Sequence, residues 1–135
     1  MTVVLDASGA VEIALERSSS KKFKEILQRA DVIIAPDTFV SEVTNFFWKY
    51  RKFSNFSDET CLNGIEFCIN LIDDFIDSRE LWREAYSEGM RNKSSTYDMF
   101  YLVTARRNSG GLVSMDKKLN SIAEKEGLKI TPVTT

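Results

Sequence analysis

Short apolar segments separated by helical patterns constrain the fold of this chain more than any other feature. The segments "TVVL" at residues 2–5, "DVIIAP" at 31–36 and "LVSM" at 112–115 are almost uniformly apolar, as strands buried on both faces are. The stretches between them carry apolar residues at helical spacing. We therefore predict a three-layer α/β/α domain with a central, mainly parallel sheet of four or five strands.

The ends of the helices and strands follow from residues that start or stop them. A strand-to-helix turn is predicted at residues 6–9, and Ser94 or Ser95 is expected to cap a helix that runs to about Asn108. A helix "DKKLNSIAEKEG" and a final strand "LKITPV" are predicted to complete the chain. Residues 71–75, "LIDDF", suit either the end of a helix or a short edge strand.

Length and composition indicate an ordinary globular protein. The 135 residues are 43% hydrophobic, which predicts one domain spanning residues 1–135. The net charge of -2 does not indicate a nucleic-acid binder. Cys61 and Cys68 share one face of a helical segment and match no zinc spacing, so we expect free thiols in a reducing compartment. With no long apolar run and no signal-peptide pattern, a cytoplasmic protein without membrane association is predicted.

The chain contains no histidine, and this restricts its chemistry. Ser-His-Asp and Cys-His catalysis and imidazole-bound zinc are all excluded. Any hydrolytic reaction must therefore depend on carboxylates, lysine, hydroxyl groups or a metal with oxygen ligands.

Acidic residues follow two of the predicted strands. Asp6 and Asp116 come directly after strands, and ligands of parallel sheets bind at that edge, but each residue would equally suit a helix N-cap. Asp98 lies in the first turn of a helix, where the dipole favours negative charge, and Glu42 lies among apolar neighbours. If these carboxylates converge they repel by several kcal/mol at an effective dielectric constant of about 20, which favours a bound Mg²⁺ or Mn²⁺.

Three segments in order resemble one family. The segments "VVLDAS", "APDTFVSEVTN" and "STYDMFYLVTARRNSGGLVSMDKKL" are similar to the PIN-domain ribonucleases, and among them to the VapC toxins of prokaryotic toxin-antitoxin modules. The resemblance spans nearly the whole chain, and residues 97–119 are its most specific part.

The resemblance implies a set of site residues. The catalytic acids would be Asp6, Glu42, Asp98 and Asp116, of which the three aspartates would ligate the metal. Ser114 and Asn45 would be supporting polar groups. Lys117 and Lys118 follow Asp116 where some family members carry a further acid, so a fully occupied second metal site is not expected, and the number of metal ions, one or two, stays open. Basic residues near this edge suit solvated helix ends as well as RNA contacts, so no RNA-binding residue is assigned.

The resemblance also implies an activity and partners. The expected protein is an endoribonuclease that uses Mg²⁺, or Mn²⁺, to cleave RNA and leave a 5′-phosphate and a 3′-hydroxyl. VapC toxins form homodimers and are neutralised by a VapB-like antitoxin lying along helices near the acidic pocket. The aromatic-rich segment "TNFFWKYRKFSNF" suits an exposed apolar patch that such a partner would cover. It equally suits burial under the next helices. The alternative function is an inactive PIN-like module that binds RNA or protein, although none of the four acids is missing.

Overall fold

The computed structural model describes residues 1–133 and contains a parallel sheet flanked by helices. In chain order the elements are β1 (Thr2–Leu5), α1 (Ala7–Ala14), α2 (Ser20–Arg29), β2 (Val32–Pro36), α3 (Thr38–Phe53), α4 (Asp58–Asn70), β3 (Asp74–Ile76), a 3₁₀ turn (Ser78–Glu80), α5 (Trp82–Asn92), α6 (Thr96–Arg107), β4 (Gly111–Val113) and α7 (Lys117–Lys125). Within residues 1–133, no helix has the length and apolar character needed to cross a bilayer.

The strands lie in the order β3-β2-β1-β4 and all pair in parallel. The central strand β1 is fully covered, because Val3, Val4 and Leu5 are each no more than 1% exposed. From β1 the chain proceeds to β2 and β3 on one side and later to β4 on the other, so the strand order reverses between β1 and β4. Ligands of open parallel sheets bind at the carboxyl end of such a reversal.

The helices form two groups around this sheet. Helix α1 contacts α2, α3 and α4, whereas α6 contacts α5, α7 and the strands. This arrangement confirms the predicted three-layer α/β/α fold. At the contact between α3 and α4, a Cβ atom at Gly64 would lie only 2.5 Å from the ring of Phe47, so glycine permits the close approach. Cys61 and Cys68 of α4 are both buried, and neither forms a disulfide.

An ion-pair network holds α6 against its neighbours. The Arg106 guanidinium lies 3.1 Å from Glu84 of α5 and 2.8 Å from Glu126, which follows α7. It also lies 3.5 Å from the buried Glu88 carboxylate. Solvent screens these pairs, because Arg106 and Glu84 are each more than a third exposed, but the network still links α6, which carries Asp98, to α5 and the end of α7.

Of the two alternatives predicted for residues 71–75, the structure shows the short edge strand and not the end of a helix. Helix α4 ends at Asn70, and the chain turns into the short edge strand β3. The Asp73 N–H donates to the carbonyl oxygen of Ile33 at 2.8 Å, and the Asp73 side chain accepts from the Ile33 N–H at 2.8 Å. This paired contact aligns β3 with β2.

The prediction of a final strand at residues 128–133 is wrong. Only Ile130 pairs there, in an isolated parallel bridge with Leu112, so the sheet has four strands. The Leu112 N–H donates to Lys129 at 2.9 Å and its carbonyl accepts from Thr131 at 3.3 Å. Strand β4 is only three residues long and ends at Val113, so it offers no further residue to extend the pairing.

The aromatic segment in α3 is partly buried and partly exposed. Phe47 is fully buried, and the rings of Tyr50 and Phe56 stack with centroids 5.0 Å apart. Trp48 and Phe53 remain 55% and 75% exposed and meet edge to face. Part of this segment is therefore buried, whereas Trp48 and Phe53 form an exposed apolar patch, so both of the predicted alternatives occur.

Candidate active site

Two aspartates lie at the carboxyl ends of the adjacent strands β1 and β4. Asp6 caps α1, since its Oδ1 accepts from the Gly9 N–H at 2.8 Å. Asp116 caps α7 in the same way, accepting from the Leu119 N–H at 3.0 Å. The N-cap interpretation is therefore correct for both residues, and the caps also fix both carboxylates at the point where the strand order reverses.

Hydroxyl groups tie the carboxylate of Asp6 to the backbone at Met115 and Asp116. Ser8 donates to Asp6 Oδ1 at 2.7 Å, and Ser114 donates to Asp6 Oδ2. The Ser114 hydroxyl also accepts from the Asp116 N–H at 2.9 Å. Asp6 is only 5% exposed, so these donors compensate part of its desolvation. Ser114 thus lies where a supporting polar group was predicted.

Ser8 was not among the predicted site residues. Besides binding Asp6, its hydroxyl accepts from the Met115 N–H at 2.9 Å, joining the start of α1 to the segment after β4. Its position two residues after a helix-capping aspartate is the only sequence signal that could have indicated this role.

The other two acids come from helices that begin at the same edge of the sheet. Helix α3 follows β2, and α6 precedes β4, so both start at the carboxyl ends of the parallel strands. Glu42 lies in the second turn of α3 and Asp98 in the first turn of α6. This geometry brings both carboxyl groups toward those of β1 and β4.

Tyr101 joins the two helices and was missed from the sequence. Its hydroxyl donates to Glu42 Oε1 at 3.0 Å, and the side chain is 1% exposed. Tyr101 lies three residues after Asp98, and residues at this spacing share one helix face. That spacing is the signal that could have placed the phenol beside the acids.

The pKa values show that the carboxyl groups act on one another. Burial raises the pKa of Asp6 to about 6, although the hydrogen bonds that its carboxylate accepts lower this pKa. The charge of Asp116 also raises it. Burial raises the pKa of Glu42 to about 7, opposed by the Tyr101 hydrogen bond and reinforced by the charges of Asp6 and Asp98. Burial, and to a smaller extent the negative charge of Asp116, raises the pKa of Asp98 to about 6. The four acids therefore form one electrostatic cluster.

Comparison with known proteins assigns this fold to a family. The family model described as PIN domain matches residues 3–125. The chain belongs to the PIN domain family. It is 23% identical over 137 residues to Ribonuclease VapC3 of Pyrobaculum aerophilum, covering 98% of this chain and 100% of that protein. It also resembles the crystal structure of PAE2754 from Pyrobaculum aerophilum, with a TM-score of 0.74 and 14% sequence identity. The match covers 96% of this chain and 83% of that one.

The donor set of this PIN domain fits a hard divalent cation. Within residues 1–133, no three acidic side chains converge closely enough to ligate one ion together. Mg²⁺, however, usually takes only one or two carboxylates directly and keeps several waters. Three protein donors occupy three of the four lone-pair sites of Asp6, which leaves one, on Oδ2, for a further partner. Carboxylates that repel one another in a partly dry site favour a cation there.

Asn45, the remaining predicted residue, lies outside the hydrogen-bond network of this PIN domain's acids. It is exposed one helical turn beyond Glu42 and lines a groove that runs along α3. The structure therefore brings Ser114 into contact with Asp6, whereas Asn45 neighbours Glu42 on the outer side.

Proposed function

We propose that this PIN domain, acting as one unit over residues 1–135, is a metal-dependent endoribonuclease toxin of the VapC type. The observation that carries the proposal is the cluster of four acids at one sheet edge, each within electrostatic reach of another, in a chain without histidine. The relative's name, Ribonuclease VapC3, supports RNA as the substrate. A toxin that acts on cellular RNA would work in the cytoplasm.

We assign the metal to the three aspartates, with Mg²⁺ as the physiological ion and Mn²⁺ as a substitute. Asp6, Asp98 and Asp116 would hold it directly or through water. When bound, the ion supplies positive charge for the phosphate and lowers the pKa of a water. The residues around it hold this geometry, because Ser8 and Ser114 orient the carboxylate of Asp6.

Glu42 is suited to handle a proton in this reaction. Its Oε1 accepts from Tyr101, and a carboxylate has further lone pairs with which to accept a proton from water. Since burial raises the pKa of Glu42 to about 7, the group can both take and release a proton near neutral pH. This assignment needs no histidine base.

The same proposal includes protein partners. VapC-type function implies a cognate VapB-like antitoxin and a homodimer, and apolar side chains stand exposed on α3 at Trp48 and Phe53. Light scattering during size exclusion should give twice the mass of one chain. A monomer at all concentrations would contradict the homodimer but leave the nuclease proposal intact.

The nuclease proposal is tested by cleavage of total cellular RNA with purified protein. We expect discrete fragments with Mg²⁺ or Mn²⁺, none with EDTA, and none with Asp98→Asn. Asp74→Asn is the matched control, because it makes the same change at an exposed position at the start of β3. Equal cleavage by wild type and Asp98→Asn would overturn the assignment, and folded, metal-loaded protein that cleaves nothing would favour an inactive binding module.

A further inference from the structure

A groove leaves the acid cluster along α3, and apart from Glu42 its residues have no part in the chemistry proposed above. It has a volume of about 380 Å³ and is lined by Ser41, Glu42, Asn45, Phe46, Lys49 and Tyr97. Glu42 belongs both to the groove and to the acid cluster, so the groove begins beside the position of a scissile phosphate. Its volume falls within the roughly 300–1,000 Å³ typical of sites for small organic groups.

Tyr97 forms the wall of the groove that α6 contributes. Its side chain is 67% exposed although it adjoins Asp98 in sequence. A nucleobase can cover such a ring by stacking, and each stacked base typically strengthens binding by roughly 10-fold or more. Phe46, which is half-buried, adds an apolar surface on the α3 side of the groove.

The α3 wall offers the polar groups that a nucleotide needs. Asn45 is exposed and presents an amide, which both donates and accepts hydrogen bonds as base edges require. Lys49 is exposed seven residues after Glu42, or about 10 Å along the helix axis. Its ammonium group therefore suits a phosphate beside the scissile one, where it offsets repulsion between RNA and the acids.

We propose that this groove binds one nucleotide of single-stranded RNA next to the scissile phosphate, with its base on Tyr97 and its phosphate at Lys49. The proposal rests on the ribonuclease function proposed above. Double-stranded RNA does not fit, because its bases are stacked inside the helix and cannot cover the ring. A peptide of a protein partner is less suited, because the groove begins at the acid cluster and carries the Lys49 ammonium and the Asn45 amide, which suit a phosphate and a base edge.

The test combines RNA binding with cleavage kinetics. Binding of a fluorescent single-stranded RNA of about ten nucleotides is measured by anisotropy in the Asp6→Asn background, so that the RNA stays intact. Tyr97→Ala should raise Kd about 10-fold, and in the otherwise wild-type enzyme it should raise KM similarly while kcat changes little. Tyr97→Phe should recover most of the lost affinity, because the ring is retained.

Lys49→Ala should weaken RNA binding and reduce the slope of log Kd against log salt by about 0.7, the value for one phosphate contact on a single strand. Tyr86→Ala and Lys24→Ala are matched controls at exposed positions on α5 and α2, and both should leave Kd and KM unchanged. Circular dichroism melts confirm that each variant folds.

Two results would overturn the groove assignment while leaving the ribonuclease proposal standing. The first is wild-type cleavage with unchanged Kd and KM in both Tyr97→Ala and Lys49→Ala. The second is loss of antitoxin binding but not of RNA binding in these variants, which would assign the groove to a protein partner. Absence of RNA cleavage by the wild type instead contradicts the ribonuclease function, and the binding measurement then still decides whether the groove holds RNA.

Discussion

Replacing Asp6 by asparagine should abolish RNA cleavage and yet stabilise the metal-free protein at neutral pH. Burial raises the pKa of Asp6 from 3.8 to about 6. At 1.36 kcal/mol for each tenfold change in proton affinity, this rise corresponds to a penalty of up to about 3 kcal/mol for the ionised group. Asparagine has the same shape and carries no charge, so the variant avoids this penalty.

The hydrogen bonds of Asp6 should survive the change. The amide oxygen of asparagine can still accept from Gly9 and Ser8, as Oδ1 does now. The amide nitrogen would donate to Ser114, whose hydroxyl now donates to Oδ2 and can accept instead. The Ser114 hydroxyl would then need a new acceptor, such as Ser8 at 3.4 Å, and the second amide hydrogen gains no protein partner, so the stabilisation stays below the full penalty.

The sign of the pH dependence follows from the raised pKa of Asp6. The folded state holds the proton more tightly than the unfolded chain, so the contribution of Asp6 to stability is complete below about pH 4 and is lost as the pH rises through about 6. The variant should melt up to roughly 10 °C higher than wild type near pH 7.5 in EDTA, and the difference should shrink toward pH 4.

Thermal melts in EDTA and in Mg²⁺, across this pH range, measure the effect. Added Mg²⁺ should narrow the gap, because the cation binds the wild-type cluster and relieves its repulsion. Asp74→Asn, at an exposed position, should show no such pH-dependent gain. The reasoning is refuted if Asp6→Asn is less stable than wild type near pH 7.5, or if its advantage is the same at every pH.

Three further substitutions test other contacts. Tyr101→Phe removes the donor to Glu42, a bond worth about 1.5–3 kcal/mol, so kcat should fall about 10-fold; in Glu42→Gln the same change should have little further effect. Ser114→Ala removes the hydroxyl that joins the Asp6 carboxylate to the Asp116 backbone N–H, and calorimetry should show Mn²⁺ affinity reduced several-fold. Gly64→Ala forces a Cβ against Phe47, so urea unfolding should show a loss of about 1–3 kcal/mol while cleavage by the folded protein is unchanged.

Much of the fold could be predicted from local patterns in the chain. Buried parallel strands need apolar residues on both faces, so β1 and β2 were recognisable without any knowledge of their partners. The final strand was predicted on the same grounds and was wrong, because β4 is only three residues long and leaves no further residue to pair with. Strand propensity is local, whereas pairing depends on the neighbouring strand.

The candidate site was likewise predictable in part from the sequence. The absence of histidine and the aspartates that follow the strands were properties of the sequence itself, and they limited hydrolytic chemistry to carboxylates, lysine, hydroxyl groups or a metal with oxygen ligands. The resemblance to the PIN domain family, now confirmed, supplied the order of the acids. The roles of Ser8 and Tyr101 were missed, because serine and tyrosine at those positions also suit ordinary surface or core sites.

Only the tertiary structure decided which side chains meet. The Ser114 hydroxyl reaches Asp6 across 108 positions, and the Tyr101 hydroxyl reaches Glu42 across 59. Local patterns fix the direction of a side chain relative to its own helix or strand, but the packing of α3 and α6 on the parallel sheet sets these distances. Because the energy of a carboxylate depends on its burial and on neighbouring charges, the raised pKa values of the cluster also arise only in the folded chain.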